Sequence, residues 1–152
     1  MKLVQHLLDS KGREIISIVQ EASVYDAIKL MAERGVGSLL VMDGDELKGI
    51  VTERDYARKV IIKGRSSEST QVHEIMTTDL VTTTGAQTVN ECMTIMSEKR
   101  IRHLPVMSGK EVVGLISIGD LVQAIISDQQ EAVSYTHLRA HETQEVISYA
   151  VF

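Results

Sequence analysis

One seven-residue stretch constrains this chain more than any other, because it is written twice. Gly49-Ile50-Val51-Thr52-Glu53-Arg54-Asp55 returns as Gly114-Leu115-Ile116-Ser117-Ile118-Gly119-Asp120, 65 positions later. Each copy runs glycine, a short apolar strand, a hydroxyl, two variable residues and an aspartate, and each leads into an amphipathic run with helical spacing. The chain therefore ends a strand and starts a helix by the same recipe in two places.

Sliding the chain against itself by 65 positions extends the match without a gap from about Ile16 onward. Identities include Val24/Val89, Met31/Met96, Leu39/Leu104, Val41/Val106, Gly44/Gly109 and Glu46/Glu111, and pairs such as Ile28/Met93, Val36/Ile101 and Thr52/Ser117 keep their class. A doubled unit filling most of a chain has to be recognised before any fold is argued.

Each unit reads β-α-β-β-α. In the first, Ile15–Val19 is a β-branched strand. Ser23 caps a helix carrying Val24, Ala27, Ile28 and Met31 on one face, and Gly35 ends it. Residues 38–42 and 47–51 are strands around the turn Asp43-Gly44-Asp45, and a helix follows Thr52 and stops at Gly64. The second unit repeats this with a strand at 80–83, a helix from Thr88 to Lys99, strands at 103–107 and 112–116 around Ser108-Gly109-Lys110, and a last helix at 121–126. These readings divide the chain into a lead-in helix and loop (1–14), the first motif (15–64), a polar linker with a short helical turn (65–79), the second motif (80–131) and a tail (132–152). The tail has no partner in the first repeat. It is a docking strand, a vector-derived remnant or a shifted reading frame, with 146–152 reading as a lone strand.

With 152 residues, 43% of them hydrophobic, the chain can bury one ordinary core or two small half-cores. One Phe, four Tyr and no Trp make that core aliphatic. A net charge of −5 and a pI near 5.5 argue against nucleic acid and anionic membrane as partners, since both need a basic face. A lone Cys92 on a helix's apolar stripe reads as a small buried hydrophobe. No signal-peptide core and no run of roughly 18 apolar residues is present, so the expectation is a soluble cytoplasmic protein.

Thr52 with Asp55, and Ser117 with Asp120, have the spacing of a capping box, with the hydroxyl at the N-cap and the carboxylate at the third helical position. By itself this pattern caps many helices that bind nothing. The doubled unit, its Gly-h-h-Thr/Ser-x-x-Asp junction and the strand Arg102-His103-Leu104-Pro105-Val106 together resemble the CBS-domain family, regulatory modules named for cystathionine β-synthase. The resemblance covers roughly residues 15–127.

The resemblance implies an α+β fold in which two β-α-β-β-α motifs pack side by side with pseudo-twofold symmetry, as a stand-alone pair of the small bacterial type. It also implies a disc-shaped homodimer and adenosine-containing ligands (AMP, ADP, ATP, S-adenosylmethionine or NAD(H)) held in clefts between the motifs as regulatory ligands. No catalytic cofactor is implied. One cleft is assigned Asp120 for ribose, Ser117 for phosphate or ribose, and Ala22, Ser23, Ala27, Val36, Gly37 and Ser38 as lining. The other is assigned Asp55 and Thr52 against Thr88, Cys92, Ile101, Arg102 and His103, while Ile16 and Val81 pack on adenine. Arg54, Arg58, Lys59, Arg100 and Arg102 are the cations available to phosphate. Ser38 and Leu40 stand where the second motif has His103 and Pro105, so the two sites are expected to be chemically unequal.

A catalytic reading finds little support. Gly35-Val36-Gly37 lacks the third glycine of a dinucleotide loop, Gly109-Lys110 lacks the upstream glycine of a phosphate loop, and no nucleophile, base and orienter recur together. His137 and His141 have helical metal spacing but no third ligand nearby. The rival to a nucleotide sensor is a dimerisation or interaction scaffold that needs no ligand and serves an unidentified target protein.

Overall fold

The computed structural model describes residues 2–136, with side chains described as far as Asp128. It is α+β. The described residues divide into two units, one built from residues 14–81 and 110–112, the other from residues 2–13, 82–109 and 113–136.

In the first unit, strand β1 (Ser17–Ile18) pairs parallel with β2 (Ser38–Asp43), which pairs antiparallel with β3 (Glu46–Thr52). Helix α2 (Val24–Arg34) covers this sheet. Ser23 accepts the Asp26 amide at 3.0 Å to start it, and Gly35 ends it in the left-handed region at φ 65°. Val24, Ala27 and Met31 on its inner face meet Leu39, Val41 and Val51 from the sheet, an aliphatic core as composition requires. Each such side chain contributes about 1.5–3 kcal/mol by leaving water.

Helix α3 (Glu53–Tyr56) follows Thr52 and widens into a π turn over Ala57–Ile61, where one continuous α-helix was expected. The wide turn is closed by the Ile62 amide on the Ala57 carbonyl at 3.1 Å and the Arg65 amide on the Val60 carbonyl at 2.9 Å. Val60 stays buried while Ile61 and Ile62 face out, 58% and 76% exposed.

In the second repeat the sheet order is β4 (Thr83–Thr84), β5 (His103–Ser108), β6 (Glu111–Ser117), with α4 (Val89–Lys99) and α5 (Ile118–Thr136). Strands β1 and β4 are both shorter than the expected 15–19 and 80–83, and β4 starts one residue later in its repeat than β1 does, for a chemical reason. In the first unit the Leu40 amide donates to the Ile16 carbonyl at 3.2 Å, whereas Pro105, at Leu40's equivalent, has no N–H to offer Val81. Pairing survives one residue on, at Thr83 with Val106, matching Ile18 with Val41. Helix α5 continues through Thr136, past its expected end near Ile126 and into the segment taken as a tail. The lone strand expected at 146–152 and the histidine pair His137/His141 lie outside the described residues.

The repeat is longer than the 65-residue match suggests. Helix α1 (Val4–Lys11) docks on the second repeat: the Val4 amide donates to Gln87, the Val89 amide to Lys2, and Leu3 bridges Thr88. The short 3₁₀ turn Val72–Glu74 docks on the first repeat identically, the Val72 amide on Ala22, the Val24 amide on Thr70, Gln71 bridging Ser23. Val4 therefore corresponds to Val72, Leu7 to Ile75 and Leu8 to Met76, 68 positions apart and so out of phase with the rest. All are buried except Met76, which is partly so. Segment 65–77, a polar run by composition, thus lies in the same unit as the first repeat, with Thr70 buried. Each repeat is completed by the segment that precedes the other.

The glycine opening each doubled motif receives these segments. A Cβ on Gly49 would stand 2.8 Å from the Thr77 carbonyl oxygen and 2.9 Å from Met76 Sδ; on Gly114 it would stand 2.7 Å from Leu8 Cδ2. Only glycine admits such an approach.

Candidate functional site

Both strand-to-helix junctions fold as their spacing dictates. At the first, the Asp55 amide donates to Thr52 Oγ1 at 3.1 Å, while the Thr52 amide and hydroxyl donate to Asp55 Oδ2 at 3.0 and 3.1 Å. At the second, the Asp120 amide donates to Ser117 Oγ at 3.2 Å and the Ser117 amide to Asp120 Oδ2 at 2.8 Å. The first helical amide of each is also engaged, Glu53 with the Gly37 carbonyl at 3.1 Å and Ile118 with the Arg102 carbonyl at 2.9 Å. The caps and these carbonyls thus engage amides that a helix start would otherwise offer to an anion.

The cations beside the two aspartates come from different places. Lys59, one helical turn on, brings Nζ to 3.2 Å from Asp55 Oδ1 and donates to the Ile75 carbonyl at 2.8 Å. Its equivalent in the second repeat is Ala124. There Lys11, the last residue of α1, supplies the charge: Nζ lies 2.6 Å from Asp120 Oδ2 and 2.8 Å from the Leu115 carbonyl oxygen. Sequence reasoning missed Lys11, which fell within the lead-in helix and loop at 1–14. The lysine absent from position 124 was the available signal.

As a result both oxygens of Asp55 are engaged, and its side chain is 13% exposed. Asp120 is 24% exposed, and its Oδ1 has no partner among the described residues. Among the described residues the Ser117 hydroxyl makes no donation comparable to that of Thr52. Asp120 also opens on a cavity of about 230 Å³ in its own unit, lined in addition by Lys2, Ser10, Lys11, Gln123 and Ser127. None of the other residues expected to bind ligand lines it.

Within each unit the junction adjoins its own repeat's central strand. Ser38 is buried opposite Thr52 across β2 and β3, and Gly37 lies against Glu53. Arg102 and His103 stand beside Ser117 and Asp120. Burial holds the His103 imidazole below its usual pKa, the Asp120 carboxylate opposes this, and Lys11 and Arg102 reinforce it. The structure thus gathers Asp120 with His103, a residue the resemblance had grouped with Asp55.

Other expected residues are placed as follows. Ser23 and Thr88 are N-caps with their hydroxyls engaged, Thr88 in a reciprocal box with Glu91. Ala27 and Cys92 are wholly buried, so they pack helix on sheet; burial pushes the Cys92 thiol up. Ile16, Ala22, Val36, Val81 and Ile101 are half-buried. Arg54, Arg58, Arg100 and Arg102 are exposed. Among the described residues no three His, Cys, Asp or Glu side chains gather as a metal site, and no helix is long and apolar enough to cross a membrane.

A family model for the CBS domain matches residues 11–62 and again 72–127. The chain is 41% identical over 137 residues to the mitochondrial CBS domain-containing protein CBSX3 of Arabidopsis thaliana, a match taking in 84% of this chain and 66% of that protein's length. Among solved structures, a protein with CBS domains from Burkholderia ambifaria is 53% identical, with a TM-score of 0.80 over 85% of this chain and 96% of the other. The CBS domain pair of protein MJ0100, solved with 5′-methylthioadenosine and S-adenosylmethionine, is 24% identical with a TM-score of 0.75 over 84% of this chain and 98% of that one. That last likeness is one of fold.

Proposed function

Because the chain belongs to the CBS domain family and carries its motif twice, we propose that it is a regulatory module, not an enzyme, that binds adenosine-containing ligands (AMP, ADP, ATP or NAD(H)) and senses nucleotide or energy state. The observation that carries this reading is the Ser117–Asp120 junction, where among the described residues a partly exposed carboxylate keeps one oxygen without a partner beside a hydroxyl that donates to none. Two adjacent ribose hydroxyls are donors of the kind that oxygen lacks. Each hydrogen bond to an ionised acceptor is worth about 1.5–3 kcal/mol, enough to set affinity by tenfold or more. The adenosine ligands of the MJ0100 pair are in keeping with this class. A cytoplasmic homodimer acting on a target protein completes the proposal.

A second reading, a scaffold without a required ligand, draws on the outward-facing Ile61 and Ile62. A thermal-shift panel of AMP, ATP, NADH and S-adenosylmethionine separates the two. A ligand at a hundred times its dissociation constant stabilises by about 2.7 kcal/mol. We expect a shift with at least one, lost in Asp120→Ala and retained in Asp55→Ala. Silence across the panel would favour the scaffold.

A further inference from the structure

We propose that Lys11 is a displaceable strap on the Asp120 carboxylate, so that occupancy of the second junction is passed to the end of helix α1. The proposal rests on the reading of Asp120 as a ligand group and adds how that site is regulated.

Helix α1 is held unequally along its length. Its start is fixed by backbone bonds to Gly85, Gln87 and Val89 and by the burial of Val4, Leu7 and Leu8. Its last turn has no backbone bond to the rest of the unit: Leu8 opens that turn buried against Gly114, and beyond it Lys11 makes the remaining contact. Arg13 pairs with Asp9 within the same segment, and among the described residues the side-chain hydrogen bonds from α1 to β6 and α5 are the two made by Lys11.

In the first repeat the same two acceptors are satisfied otherwise. The Ile50 carbonyl takes the Thr77 backbone amide at 2.9 Å, and Asp55 takes Lys59 from its own helix. A ligand competing for Asp55 would move one side chain. At Asp120 one ribose hydroxyl takes the open Oδ1 and the adjacent one competes with Lys11 for Oδ2, which would release the end of a helix more than a hundred residues away in sequence. Lys11 is 37% exposed, and the cavity beside Asp120 gives both ligand and lysine room to exchange. Linkage makes the effect reciprocal: whatever weakens the strap strengthens ligand binding.

The test uses adenosine, which carries the ribose without phosphate charge. Titration calorimetry on the whole chain should show Lys11→Met binding adenosine more tightly, by up to about fivefold, the most a partly exposed ion pair supports, with Lys11→Arg restoring wild-type affinity. In the wild type, adenosine should speed hydrogen exchange at the Gly12 amide, which closes α1 on the Leu8 carbonyl at 2.8 Å, and leave Val4 and Gln5 protected. Equal or weaker binding by Lys11→Met, or Gly12 exchange indifferent to adenosine, would overturn the strap and leave the ligand reading standing. Absence of adenosine binding by wild type and both variants would remove the two together.

Discussion

In the first repeat Asp55 has both carboxylate oxygens engaged, one by Thr52 and one by Lys59, whereas in the second Asp120 gathers Ser117 and Lys11 onto a single oxygen and leaves the other open. The backbone recipe is the same, and so is the capping box. What differs is the origin of the cation, and that follows from one position: Lys59 in the first repeat, Ala124 in the second. Duplication preserved the geometry that starts a helix, which local chemistry enforces, and let the charge around it diverge. The lesson is that two copies of a motif need not be two copies of a site.

The comparison can be broken most severely at the glycines that receive the docking segments. Gly49→Ala drives a methyl into a backbone carbonyl that cannot turn aside, and we expect a loss of about 3 kcal/mol. Gly114→Ala meets the end of a leucine side chain instead, and the loss should be nearer ~1 kcal/mol. Urea denaturation measures both. Equal losses would mean that α1 is as rigidly seated as the segment at 72–77.

A smaller effect is expected where the first helix of each repeat ends. Gly35 and Arg100 are equivalent and both left-handed, at φ 65° and 55°, a conformation that costs a side-chain-bearing residue about 1–2 kcal/mol. Arg100→Gly should stabilise the chain by about 0.5 kcal/mol, the relief being offset by a freer unfolded chain. A fall in stability would show that the arginine side chain makes an offsetting contact.

The smallest effect is in pH dependence. Above about pH 6.5 His103 is neutral whether the chain is folded or not. As pH falls through that value the unfolded chain takes up a proton that the folded one resists, so stability declines and then levels off below the depressed folded pKa. His103→Ser, which installs the residue found in the first repeat, should flatten this part of the stability profile. In Lys11→Met the folded His103 should titrate higher, since one of the charges holding it down is gone. An NMR titration reads this directly.

Much of the architecture was legible because it is local. Ser23, Gly35, Thr88 and the turn at Asp43-Gly44-Asp45 determine where elements begin and end, and the spacings Thr52 to Asp55 and Ser117 to Asp120 determine the two junction capping boxes. Strand β4 was misplaced because Pro105 acts on a neighbouring strand through an amide it lacks, an effect no window on residues 80–84 contains. The docking segments were read as lead-in and linker because their match to one another is three residues out of phase with the main repeat. Lys11 was invisible for the same reason: its partner is fixed by topology, at a sequence distance no pattern spans.

The crossing of the upstream segments also bears on how the protein is made. Nearly all of the first repeat's unit is a continuous run, residues 14–81, and that run can close as soon as it has left the ribosome. Helix α1 emerges before any of it yet belongs with β6 and α5, which are synthesised after it. Helix α1 must therefore wait, with Val4, Leu7 and Leu8 in water, until β6 and α5 have been made.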